Sequence, residues 1–146
     1  MQTKIQNILE EKGNEVISIQ KKSTIDEIVE IMNDNHIGAI VVLDGEAVVG
    51  IVSERDLLRK FLAENKDPST TTAGDIMTDR LVIATIGNTC EECIVTMTLH
   101  HIRHLPVYDG KDLVGIISIG DLMKSLAKDR DSEVHYLQDY IAGPYA

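Results

Sequence analysis

The stretch GIVSERDL, residues 50–57, returns 65 positions later as GIISIGDL, residues 115–122. In each copy an apolar run stops at a serine, and an aspartate follows three residues later. Outward from these two octapeptides the match continues without a gap. Residues 16–62 align with residues 81–127, and 14 of the 47 pairs are identical, where average composition would give about three. A repeat of this length is one supersecondary unit used twice. A single copy would bury too little surface to be comfortably stable, so the two halves are expected to share a core. Two related functional sites are expected in the clefts where the halves meet.

Each copy reads as β-α-β-β-α. A short strand opens it, residues 16–19 in one copy and 81–85 in the other. Thr24-Ile-Asp-Glu27 and Thr89-Cys-Glu-Glu92 then fit the capping box that starts a helix. Behind the first box, Ile25, Ile28, Val29 and Met32 recur at the spacing of one helix face; Cys90, Cys93, Ile94 and Met97 fill that face in the second. Asp44-Gly45 and Asp109-Gly110 lie between β-rich runs, a strong hairpin signal. The return strands are expected at residues 47–52 and 113–117, with a second helix starting at Ser53 or Ser118. Residues 1–64 are expected to form the first repeat with a lead-in helix, 65–72 a polar linker, and 73–128 the second repeat. Residues 129–146 are left as a C-terminal helix or tail, with Val134, Leu137 and Ile141 at helical spacing.

Composition narrows the function classes. A hydrophobic content of 43% suits a folded chain, and aromatics at 3% with no Trp make its core aliphatic. The formal charge of −10 argues against binding nucleic acid by phosphate neutralisation and against an anionic membrane surface. The N-terminal residues lack the apolar core of a signal peptide, and the longest apolar run, residues 37–43, is too short to span a bilayer. A cytoplasmic location is the expectation.

The pairs Ser53/Asp56 and Ser118/Asp121 admit two readings. As helix caps, serine is the N-cap and the acid sits at N3, where the helix dipole favours it. As ligand groups, a short carboxylate at the end of a strand could accept both hydroxyls of a ribose. The doubled unit, the Asp-Gly hairpin and the G-h-h-S-x-x-D-L ending resemble a tandem pair of CBS domains, a Bateman module. The likeness covers nearly the whole chain. It implies an α/β fold of two CBS repeats related by a pseudo-two-fold axis and packed through their sheets. It also implies that Ser53 with Asp56, and Ser118 with Asp121, hold the ribose of an adenine nucleotide. On the same resemblance, Ser18, Ile37, Gly38 and Ala39 would surround adenine in one site, and Ile83, Thr85 and Ile102 in the other.

The stretch Arg103-His104-Leu105-Pro106-Val107 reads by itself as a solvated helix end, where cations are favoured. Within the resemblance it matches the segment that supplies phosphate-binding Arg and His. A guanidinium fork grips phosphate oxygens with two charge-assisted bonds. The first repeat has Gly38 and Ala39 at those positions, leaving Lys21, Lys22, Arg55 and Arg59 as substitutes. Cys90 and Cys93 form a lone C-x-x-C, weak evidence for zinc or redox chemistry. They align with Ile25 and Ile28, so packing is the better account and no metal is expected.

No hydrolytic triad, P-loop or dinucleotide fingerprint appears. With no such motif, an enzyme with a catalytic cofactor is not expected. The resemblance implies a regulatory module that binds AMP, ADP, ATP or an NAD-type dinucleotide, forms a homodimer, and signals to an unidentified target protein. The alternatives are a structural or dimerisation module with vestigial sites, and a metal or thiol sensor.

Overall fold

Both repeats begin a helix at a threonine, and each helix start borrows a carbonyl from a distant segment. The first amide groups of a helix lack intrahelical acceptors. Ile25 N–H donates to Thr71 O (3.0 Å), and Cys90 N–H donates to Thr3 O (2.9 Å). These bonds decide how the lead-in segments are placed.

The computed structural model describes residues 2–129. The elements run α1 (Ile5–Lys12), β1 (Ser18–Gln20), α2 (Ile25–Asn35), β2 (Ala39–Asp44), β3 (Ala47–Ser53) and α3 (Glu54–Asp56), which continues as a π-helical stretch, Leu57–Leu62. Then come α4 (Ala73–Ile76), β4 (Ala84–Thr85), α5 (Cys90–His100), β5 (His104–Asp109), β6 (Asp112–Ser118) and α6 (Ile119–Asp129). The contacts divide the chain into two compact units. One holds residues 16–81; the other joins residues up to 15 with those from 82 onward.

In the first-repeat unit the sheet order is β1-β2-β3, with β1 parallel to β2 and β2 antiparallel to β3. In the second-repeat unit β4-β5-β6 repeats it, strand for strand. Both hairpins turn at a glycine in the left-handed region, Gly45 (φ 65°) and Gly110 (φ 61°), as the Asp-Gly signal predicts. Both carry a register shift at the same place, Val42/Leu43 and Val107/Tyr108. Ile25, Ile28 and Met32 of α2 pack with Ile40, Val42 and Val52. Cys90, Cys93 and Met97 of α5 pack with Leu105, Val107 and Ile117.

The lead-in segments differ from the sequence expectation. Ile5, Ile8 and Leu9 of α1 join the core of the second repeat, and Ala73 and Ile76 of α4 join that of the first. The division expected at residues 1–64 and 73–128 is therefore crossed by both lead-ins. The reason lies in the caps: Thr72 pairs with Thr24, and Lys4 pairs with Thr89. Thr89 also caps α5 with its side chain, accepting from Glu92 N–H (3.2 Å), whereas Thr24 makes no side-chain cap. The opening strands are shorter than expected, and the helix expected over residues 132–141 lies outside the described residues.

Candidate functional site

In each unit the antiparallel hairpin brings the start of its second strand beside the end of its third. Ala39 stands opposite Ser53 and His104 opposite Ser118. The helix that follows is tied to the same corner: Glu54 N–H donates to Gly38 O (3.1 Å) and Ile119 N–H to Arg103 O (2.9 Å). Gly38, Ala39, Ser53 and Asp56 are thus gathered in one unit, and Arg103, His104, Ser118 and Asp121 in the other.

The capping reading of both serine–aspartate pairs holds. Ser53 N–H donates to Asp56 Oδ2 (2.9 Å) and Asp56 N–H to Ser53 Oγ (3.3 Å). Ser118 N–H donates to Asp121 Oδ2 (2.9 Å) and Asp121 N–H to Ser118 Oγ (3.1 Å). Beyond the cap the two carboxylates part company. Asp56, its side chain 8% exposed, receives Lys60 Nζ (3.0 Å) and the Thr78 hydroxyl (3.1 Å) on Oδ1. The Ser53 hydroxyl donates to its Oδ2 (3.2 Å). Asp121, 23% exposed, receives Lys12 Nζ on Oδ2 (2.7 Å). Burial works against its charge, but the Lys12 ammonium and the Ser118 donors outweigh that and hold its carboxyl below the usual range.

The remaining expected site residues are spread more widely. Ser18 is exposed on β1, opposite Val41 and two residues along β2 from Ala39. Ile37 and Ile102 are half-buried just before β2 and β5, and Ile83 is exposed. Pro106 is buried within β5, opposite Ile116. Thr85 pairs with Tyr108, four residues along β5 from His104, roughly 13 Å away. Its hydroxyl and amide both donate to Asn88 Oδ1. Arg55 and Arg103 are exposed, and Lys21 pairs with Asp44 (3.3 Å).

Cys90 and Cys93 lie in the second-repeat core, and the Cys90 thiol donates to Leu122 O (3.3 Å). Burial first pushes both thiols up to about 11, helped by Glu91 and Asp129 at Cys90 and by the Cys90 thiol and Glu92 at Cys93. Among the described residues no cluster of three or more His, Cys, Asp and Glu could hold a metal ion. No described helix is long and apolar enough to cross a membrane.

Three residues on the carboxylates escaped the sequence reading. Lys60 follows Asp56 by four residues on the same helix, a spacing that could have revealed it. Thr78 and Lys12 reach their carboxylates from the lead-ins, 22 and 109 residues away, and nothing local announces them.

The CBS domain family model matches residues 12–63 and again residues 73–128. The chain belongs to the CBS-domain family. Members of this family are generally regulatory rather than catalytic. Among curated relatives, the mitochondrial CBS domain-containing protein CBSX3 of Arabidopsis thaliana is 31% identical across 98% of this chain and 74% of its own length. A solved CBS-domain protein from Burkholderia ambifaria is 36% identical, with a TM-score of 0.85 over 88% of this chain and 97% of that one. The hexameric CBS-CP12 protein of bloom-forming cyanobacteria shares the fold at 23% identity and a TM-score of 0.74, over all of this chain and 87% of that one.

Proposed function

We propose that this CBS pair is a regulatory module that binds an adenine nucleotide and signals its occupancy to a partner protein. AMP, ADP, ATP and NAD-type dinucleotides remain one ligand class in this reading. The observation that carries it is the same corner built twice: a serine–aspartate pair at a strand end, against the residues that open the neighbouring strand. A ribose offers two adjacent hydroxyls, and a fixed carboxylate can accept both. In the second repeat the corner also includes Arg103 and His104, whose side chains supply donors for a phosphate. The first repeat has Gly38 and Ala39 there, which bring no charge.

Regulation requires that the ligand favour one arrangement of the protein over another. Equivalent positions of the two repeats carry exposed apolar side chains, Leu58 (60% exposed) and Met123 (47%). An exposed apolar position repeated in this way supports a homodimer, and sedimentation would separate that from a larger ring. The proposal keeps a cytoplasmic setting, which cell fractionation tests.

A second reading, a structural or dimerisation module with vestigial sites, draws on Asp56, both of whose oxygens are engaged within the protein. Calorimetry with AMP and adenosine separates the two. The binding reading expects two classes of site, one lost in Asp121→Ala and the other in Asp56→Ala. It expects Arg103→Ala to weaken AMP roughly 10- to 150-fold at the second-repeat site, the range for one hydrogen bond to a charged group, and to leave adenosine nearly unchanged. Absence of AMP binding, or binding indifferent to all three substitutions, would favour the structural module.

A further inference from the structure

The Asp121 carboxylate is held by a residue that its own repeat does not contain. Lys12, the last residue of α1, donates from Nζ to Asp121 Oδ2 and to Ile116 O, each at 2.7 Å. In the first repeat those tasks are divided. Thr78 N–H donates to Ile51 O (2.8 Å), and the Thr78 hydroxyl and Lys60 ammonium engage Asp56. Lys60 aligns with Ser125, which brings no charge. A single ammonium from α1 therefore fills the role of a threonine and a lysine.

The two carboxylates also differ in what they still offer a ligand. An ionised carboxylate has about four acceptor directions. On Asp121 the amide of Ser118 and the ammonium of Lys12 both fall on Oδ2. Among the described residues no hydrogen bond reaches its Oδ1. Asp56 has donors on both oxygens.

We infer that Lys12 is a positioning residue for the Asp121 site: it aims the carboxylate with Oδ1 presented to ligand hydroxyls and couples occupancy of that site to the docking of α1. This rests on the reading of Asp121 as the ribose-binding carboxylate. Lys12 stays in place when ligand binds, because a diol can be accepted at Oδ1 while both Lys12 bonds persist. Coupling is reciprocal, so a ligand that gains from the aimed carboxylate must in turn stabilise α1. Lys128 provides the contrast. It pairs with Glu11 (2.9 Å), tying α6 to the same helix without touching Asp121.

The test is calorimetry with AMP on the full chain, joined to hydrogen exchange of the α1 amides. Lys12→Met should weaken the Asp121-dependent class of site at least about fivefold, the lower end of ordinary coupling. Lys12→Arg should restore most of the affinity, and Lys128→Met should leave it unchanged. AMP should slow exchange across Ile5–Lys12 in the wild type and not in Lys12→Met. Ile5, Ile8 and Leu9 stay buried in the variant's design, and the wild-type exchange measurement stands even if Lys12→Met folds poorly. Unchanged or tighter AMP binding in Lys12→Met, or no AMP effect on α1 exchange, would overturn the inference. If instead AMP binds and Asp121→Asn has no effect, the ribose assignment itself has failed, whatever Lys12 does.

Discussion

Gly50 and Gly115 occupy equivalent places in β3 and β6, yet an added methyl would meet different obstacles. At Gly50 the new Cβ would lie 2.6 Å from Met77 Sδ and 2.9 Å from the backbone oxygen of Thr78. That backbone cannot retreat easily, because Thr78 exchanges two hydrogen bonds with Ile51 (2.8 and 3.0 Å). At Gly115 the nearest atoms to the Cβ would all belong to the Leu9 side chain, with Cδ2 at 2.6 Å, Cδ1 at 3.3 Å and Cγ at 3.5 Å. A side-chain tip can rotate away. Overpacking a core costs about 1–3 kcal/mol, and replacing glycine by alanine returns about 0.4–1 kcal/mol through the unfolded chain. Gly50→Ala should therefore lose about 1–2 kcal/mol, a fall of roughly 2–8 °C in melting temperature. Gly115→Ala should stay within about 1 kcal/mol of wild type. The same pair tests the crossed lead-ins. Leu9→Ala should cost less in the Gly115→Ala background than in wild type, with a coupling of at least about 0.5 kcal/mol. Urea melts of the four variants supply the free energies and thermal melts the temperature shift. Equal losses at the two glycines, or additivity of Leu9→Ala and Gly115→Ala, would refute the reasoning.

Two further outcomes follow from the titrating groups. With thiols raised to about 11, roughly one molecule in ten thousand carries the reactive thiolate at neutral pH, so native Cys90 and Cys93 should react with a thiol reagent only as fast as the fold opens; prompt modification would contradict their burial. Asp121 has a folded-state pKa below its unfolded value, so its stabilisation is complete above the ordinary carboxylate range and disappears as pH falls through the lowered value. Acid titration of Lys12→Met should accordingly show a smaller stability difference between pH ~7 and pH ~3 than wild type does; Asp67 and Asp75 are lowered too, by Ser69 and Thr72, and cancel because both proteins carry them.

The repeat made most of the fold legible. Periodicity located α2 and α5 because each buries one face, and the Asp-Gly pairs located both hairpins because glycine takes the left-handed turn position without strain. The serine–aspartate corners were legible for the same reason, since cap and candidate ligand site are one local pattern. The lead-ins misled the sequence reading. Sequence order places residues 5–9 with the first repeat and residues 73–77 with the second, whereas their apolar side chains pack in the opposite cores. Their partners are chosen by backbone bonds such as Cys90 N–H to Thr3 O, and a backbone bond leaves no mark on residue type. The π-helical turn over Leu57–Leu62 was hidden likewise, because its aligned counterpart is plain α-helix in α6.

Crossed lead-ins give the duplicated corners different neighbours, and that matters for what each corner can report. Asp56 is bound to Lys60, on its own helix, to Thr78 and to Ser53, so its side-chain partners all lie within residues 53–78. Asp121 has no equivalent of Lys60, Ser125 standing at that position, and is completed by a residue 109 positions away. That bond ties it to α1, which is also anchored by the apolar Ile5, Ile8 and Leu9, by backbone bonds from Ile5 N–H to Asn88 O and from Gln6 N–H to Ile86 O, and by the exposed Lys128–Glu11 pair. Exposed pairs contribute about 0–1 kcal/mol, while bonds to the partly buried Asp121 carboxylate are stronger. Of the side-chain ties on α1, the one at Lys12 is therefore best able to carry an effect between that helix and the Asp121 corner, and Ser125, standing where the first repeat has Lys60, brings no charge to compete with it.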